Sequence, residues 1–261
     1  MFKNLFRKKE PLDYEWRKYF ESNISWLNGV FSEPTLDKRK VFLPTKSDFP
    51  IQWNSSKENV FEVVKIVAEN MQINSSEIEI NFYDEGLVEI NMGSSSIFLE
   101  NDSKNTLTAG QYHGKNKNGK YEVSVNTATL KNPEQIIATV AHELSHIKLL
   151  GEKKIDENDE FLTDLATVFF GFGILTANAS FQYYCQNDRW GYNSTGYLKH
   201  DEWGYALALF AFLRYEDNPE WINFLNPTIK KEFEKSISYM LKNESEIFRF
   251  DDETESEMTT N

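Results

Sequence analysis

The spacing of apolar and polar residues changes about halfway along the chain. Pro11 to about Phe31 reads as one helix rich in Trp and Tyr, and Pro34, Pro44 and Pro50 then punctuate an irregular link. In "KENVFEVVKIVAENM", Val60, Val63, Val64, Val67 and Met71 recur at helical spacing, which predicts a helix from Lys57 to Met71. The period then drops to two. Ile78, Ile80 and Phe82 alternate in "NSSEIEINFYDEG", and a turn is expected at Asp84–Gly86. "LVEINM" and "SIFLE" continue the strand signal. "TLTAGQYHG" and "KYEVSVN" flank "KNKNG", whose Asn118–Gly119 pair is a hairpin signal. The middle of the chain is therefore expected to form a small, mostly antiparallel sheet.

After Val125 the pattern turns helical. Asn132 is a good N-cap, Pro133 a good first helical residue and Gly151 a good stop, so a helix is predicted over Pro133–Leu150. A second runs from about Asn158 to Ala179. "HDEWGYALALFAFLRYE" predicts a third, and "NPEWINFLNPTIKKEFEKSISYMLKN" one or two more. Strands first and helices after define an α+β fold, with the helices dominating the C-terminal half. The expected organisation is an N-terminal helical extension over residues 1–50, one domain over 51–245, and an acidic tail over 246–261 that is too polar to fold. There is no internal repeat.

Composition narrows the function classes. With 261 residues, 40% of them hydrophobic and 26% charged, the chain can build a substantial core. A net charge of −13 argues against a nucleic-acid partner, which calls for a basic stripe along the phosphates. A single cysteine, Cys185, rules out a disulfide framework or a cysteine-rich zinc cluster within one chain; it reads as a small buried residue. A reducing, cytoplasmic location is the matching expectation. The start, "MFKNLFRKKEPLDYEWRK", is basic but lacks the apolar run of a secretory signal. "LATVFFGFGILTANASF", Leu165–Phe181, is at the lower limit for a membrane span and carries Thr167, Thr176, Asn178 and Ser180. It reads as a buried core helix, so no stable membrane insertion is expected. Phe169, Phe170, Phe172, Trp203, Phe210 and Phe212 are expected in the core.

The candidate chemistry lies in "TVAHELSHIKLLG". His142-Glu143-Leu144-Ser145-His146 fits the H-E-x-x-H pattern. Residues i and i+4 stack on one helix face, so both imidazoles can reach one tetrahedral Zn²⁺ at about 2.0–2.1 Å. Glu143 lies about 100° further round the helix, where it reaches a metal-bound water as general base without ligating the metal. On a wheel, Ile136, Ile137, Val140, Ala141, Leu144 and Ile147 form the core stripe. His142 and His146 point away from it, beside Ala138 and Leu149, on a face too apolar for plain solvent.

A catalytic zinc takes a third protein ligand and keeps one open position. Glu160 and Asp164 share a face at the start of the next helix, and spacing alone leaves either as that ligand. Glu152, Glu157 and Asp159 read as solvated acids. The E-x-x-x-D arrangement after HExxH resembles the gluzincin metallopeptidases. More broadly, "ATVAHELSHIKLLG" with "LTDLATVFFGFG" is similar to a group of bacterial HExxH proteins and, more distantly, to the ImmA/IrrE-type peptidases. The resemblance covers roughly Gln111 to Leu213. It implies a zincin-like domain in which Glu160 is the third zinc ligand and Asp164 orients His142. The glycine and third histidine of the metzincins do not follow His146, and the aspzincin motif is poorly matched.

The resemblance also implies an edge strand beside the active helix, which would place His113 near a peptide substrate, and a later His or Tyr donating to the oxyanion, for which His200, Tyr197 and Tyr205 qualify by order. The expected function is zinc-dependent hydrolysis of a peptide or protein substrate. The alternative is a zinc-dependent sensor or narrowly specific regulatory protein. The two differ over whether Glu143 is needed.

Overall fold

The computed structural model describes residues 10–84, 88–91, 96–99, 109–186, 189–194 and 197–249, with side chains for 10–84, 109–180 and 197–249. Its fold is α+β. The first helix, α1 (Tyr14–Val30), is capped by Asp13, whose side chain accepts the N–H of Trp16. Helix α2 (Lys57–Asn70) buries Val60, Val63, Val64 and Val67 as the helical spacing requires. Strand β1 (Ile78–Tyr83) follows, then a two-stranded antiparallel ladder of β2 (Val88–Asn91) and β3 (Ser96–Leu99). Strands β4 (Gly110–Lys115) and β5 (Tyr121–Asn126) form the hairpin expected at "KNKNG". There Asn116 N–H donates to Lys120 O and Gly119 N–H to Asn116 O.

The central sheet corrects one expectation. Its order is β1-β5-β4, with β5 antiparallel to β4 but parallel to β1, so it is mixed rather than mostly antiparallel. The period of two in a sequence tells which side chains share a face, and it carries no information on strand partner or direction. The inward face is the one alternation predicts: Tyr121, Val123 and Val125 of β5 are buried.

Helix α3 (Pro133–His146) ends in a π-helical turn over Ile147–Gly151. It is the central helix, packed by α2, by the next two helices and by β4, and its burial is nearly all-round. Residues 158–179, expected as one helix, form two: α4 (Glu160–Phe169) and α5 (Gly173–Ala179). The break is at Gly171, which has φ +87° and whose carbonyl accepts the N–H of Phe42. A Cβ there would sit 1.9 Å from Lys40 O, so only glycine lets the 40–42 segment come this close. Asn70, the last residue of α2, donates to Phe170 O across the break, and Thr167 meets Thr176 at 2.9 Å to join the two helices. The apolar run is buried as expected, but it is bent. Phe169, Phe170, Phe172, Trp203 and Phe210 are core residues, and Phe212 is partly buried against them.

Strands β6 (Phe181–Gln186) and β7 (Arg189–Ser194) pair antiparallel, and α6 (His200–Leu213) then packs on α7 (Pro227–Met240). The N-terminal segment shares this core. Phe20, Ile24 and Leu27 of α1 are fully buried in the same cluster, and α1 packs on α4 and α6. Residues 246–249 also pack. Ile247 is buried, Phe248 N–H donates to Glu21 Oε2 at 2.9 Å, and Lys18 Nζ donates to Glu246 O at 2.8 Å. Glu21 itself is fully buried, and its other oxygen accepts the Tyr205 hydroxyl at 2.7 Å. The basic start, the turn through Gly86, the side chain of Cys185 and the tail from residue 250 onward lie outside the described residues. Among the described residues, no helix is long and apolar enough to cross a membrane.

Candidate metal centre

Two local devices fix where the two halves of the site begin. Asn132 caps α3, its side chain accepting the N–H of Gln135, and Pro133 occupies the first turn. Asp159 caps α4 through Leu162 N–H at 3.0 Å, which makes Glu160 the first helical residue. Helix α3 carries His142 and His146 one turn apart, their rings edge to face with centroids 4.9 Å apart. Helix α4 delivers Glu160 to the same point. Glu160 Oε2 lies 3.2 Å from His142 Nε2 and 3.4 Å from His146 Nε2. One donor atom from each of the three residues falls within 4.8 Å of the others. Two imidazoles and one carboxylate, converging from two helices and facing a cleft, make a donor set that suits a divalent ion with an open position.

Each histidine is held at its other nitrogen. His142 Nδ1 donates to Asp164 Oδ1 at 3.0 Å. Asp164 Oδ2 accepts the backbone N–H groups of Tyr197 at 2.8 Å and Leu198 at 3.2 Å. Asp164 therefore has both oxygens engaged and is 2% exposed. His146 Nδ1 lies 3.4 Å from the hydroxyl of Thr163, which donates its one proton to Asp159 O at 2.8 Å. That hydroxyl oxygen is left to accept from His146 Nδ1–H, so Nε2 presents its lone pair to Glu160's side of the cleft. The imidazoles are also flanked by tyrosine rings nearly parallel to them: Tyr112 on His146 (6.1 Å, 9°) and Tyr197 on His142 (6.5 Å, 18°).

The electrostatics favour a cation here. Burial opposes an imidazolium at His142, but the hydrogen bonds to Asp164 and Glu160 outweigh it and raise its pKa well above the ordinary value. Burial likewise opposes the Glu160 carboxylate, yet His142, His146 and Asn158 together hold its pKa far below the usual range. Glu143 differs. Burial dominates and raises its pKa, against the lowering influence of the two histidines and a hydrogen bond from Tyr112 N–H. It is only 5% exposed.

These groups border a cleft of about 710 Å³ between α3, α4, α5 and the edge strand β4. Strand β4 lies against α3 because residue 110 is glycine. A Cβ there would be 2.5 Å from Thr139 Cγ2 and 3.0 Å from Glu143 Cγ and Oε1.

The remaining candidates from sequence separate clearly. Tyr197 borders the cleft. Its hydroxyl has a raised pKa, from burial first and then from Glu160, Asp164 and Glu143. His113 also borders the cleft, but its Nε2 lies 2.9 Å from Ser124 Oγ, a residue of the neighbouring strand. His200 opens α6 and does not border the cleft. Tyr205 is fully buried with its hydroxyl on Glu21, so it is not a cleft donor. Sequence reasoning missed Gly110, Tyr112 and Thr163. Alternation in "GQYHGK" puts Gly110 and Tyr112 on one face and His113 on the other, a signal that was available. Nothing local marks Thr163. No protein-family model matches the chain, and no curated protein or solved structure is significantly similar to it.

Proposed function

We propose that the protein is a zinc-dependent metallopeptidase, with His142, His146 and Glu160 holding the ion and Glu143 as general base. The observation that carries this reading is the approach of Glu160 Oε2 to both Nε2 atoms, with the buried Glu143 carboxylate on the same cleft. Bound zinc supplies a Lewis acid that polarises the scissile carbonyl and acidifies water. Glu143 takes a proton from water at its carboxylate and passes it to the leaving amide nitrogen, a role that a buried carboxylate with a raised pKa suits. Asp164 and Thr163 hold the histidines with Nε2 turned inward. Tyr197, keeping its phenolic proton, stands at the rim as a donor to the developing oxyanion.

The test uses wild-type protein and Glu143→Gln, purified without chelators. Both are expected to carry zinc, and the variant is expected to cleave a mass-spectrometry peptide library about 10²–10⁴-fold more slowly. Absence of zinc from wild type removes the metal reading. Equal cleavage by the two proteins removes the base assignment. Zinc retention with no cleavage by wild type favours a sensor over a peptidase.

A further inference from the structure

The residues on both sides of Glu160 are held by α1. Tyr19 donates its hydroxyl to Asp159 Oδ2 at 2.8 Å. The other oxygen of that carboxylate is the cap of α4, and the Asp159 carbonyl takes the Thr163 hydroxyl that faces His146. On the other side, the Phe161 ring lies 5.1 Å from Trp16 of α1 and 6.3 Å from the Tyr197 ring at the cleft rim. Trp16 and Tyr19 are three apart on one face of α1 and meet edge to face at 5.4 Å. One face of α1 thus grips the chain immediately before and after Glu160.

The Tyr19–Asp159 bond has a defined chemistry. A phenol facing a carboxylate donates, and the bond is charge-assisted. Burial first, and Asp159 second, raise the pKa of Tyr19, so the proton stays on the phenol. A capping carboxylate held by one oxygen is free to swing about its side-chain torsions. A second bond to the other oxygen pins its plane, and with it the first turn of α4.

We propose that Tyr19 is a positioning residue for the metal centre: through Asp159 it fixes the first turn of α4 and so the approach of Glu160 to the two histidines. This makes α1 a component of the site rather than an appendage, and it rests on the reading of His142, His146 and Glu160 as ligands. Tyr19 touches none of the three.

The experiment uses the full chain and four variants: Tyr19→Phe, Asp159→Asn, the double variant, and Leu27→Ala. The last loosens α1 packing while keeping the phenol. Zinc affinity is measured by chelator competition, coordination by the visible spectrum of the cobalt-loaded protein, and stability by thermal unfolding. Tyr19→Phe is expected to weaken zinc about tenfold and alter the cobalt spectrum at a nearly unchanged Tm. Asp159→Asn is expected to do the same, with no further loss in the double variant. Leu27→Ala, at a fully buried position on α1 away from Trp16 and Tyr19, should lower Tm and leave zinc affinity unmoved. The proposal is overturned if Tyr19→Phe matches wild type in affinity and spectrum, if Asp159→Asn has no such effect, if the two losses add, or if Leu27→Ala weakens zinc equally. Wild type that binds neither zinc nor cobalt brings down the metal reading and this inference with it. Wild type that binds them, alongside an indifferent Tyr19→Phe, brings down the inference alone.

Discussion

Asp164 and His142 are joined at 3.0 Å from Oδ1 to Nδ1, while the other oxygen of Asp164 receives two backbone N–H groups from residues 197 and 198. Three donors converge on two acceptor oxygens. An asparagine offers one oxygen and one NH₂, so one side would oppose donor to donor. Asp164→Asn is expected to weaken zinc by about 10–100-fold without abolishing it. Glu160→Ala is expected to lose more. Chelator competition on both variants checks this, and a larger loss in Asp164→Asn would exchange the two roles.

Thr163 makes a finer version of the same argument. Its side chain is fully buried between Asp159 O and His146 Nδ1. Thr163→Val keeps the shape and removes the acceptor, leaving His146 Nδ1–H without its partner. Zinc affinity is expected to fall about tenfold, and Thr163→Ser should restore it. Equal affinity in the valine and serine variants would show that the hydroxyl has no part in holding His146.

Gly110 tests the contact between β4 and α3. An added methyl would lie 2.5 Å from Thr139 Cγ2 and 3.0 Å from Glu143 Cγ, closer than van der Waals contact allows. Overpacking of this kind costs about 1–3 kcal/mol, and here the group that must move is the proposed base. Gly110→Ala is expected to reduce kcat by more than tenfold, with zinc retained and Tm lowered. An unchanged kcat would mean that β4 yields without disturbing Glu143.

Alkaline stability gives a metal-independent check on the buried tyrosines. Tyr205 has a raised pKa, from burial first and then from Glu21, as does Tyr19 from burial and Asp159. The folded state therefore holds these protons more tightly than the unfolded state does. Their contribution is fully present below the unfolded value of about 10 and is lost as pH rises above it. The slope approaches about 1.4 kcal/mol per pH unit for each such group. Urea midpoints at pH 9 to 11 should fall less steeply for Tyr205→Phe than for wild type, even though the variant starts less stable. Parallel slopes would contradict the assignment.

Much of the site's layout was legible because it is local. The i, i+4 spacing of His142 and His146 and of Glu160 and Asp164 places each pair on one helix face. The capping residues Asn132 and Asp159 set where each face begins, although spacing alone reads Asp159 as a solvated acid. What sequence concealed is what depends on distant partners. Thr163 meets His146 on a neighbouring helix, and Tyr19 meets Asp159, 140 positions away. The bend at Gly171 has the same character. Glycine inside an apolar helical pattern is tolerated in general, and only the closeness of Lys40 O makes it obligatory here. The parallel pairing of β1 with β5 was hidden for a simpler reason, since alternation is the same for either strand direction.

The Glu21 carboxylate also ties together parts of the chain that are made far apart in time. It is fully buried, and it is satisfied by Lys18 beside it, by Tyr205, and by the backbone of Phe248, 227 positions later. On a ribosome, α1 emerges long before two of those partners exist. A chain ending before residue 248 would leave Glu21 Oε2 with Lys18 but without the Phe248 N–H. Glu21 therefore has its full set of partners only once residue 248 has been made, long after α1 itself.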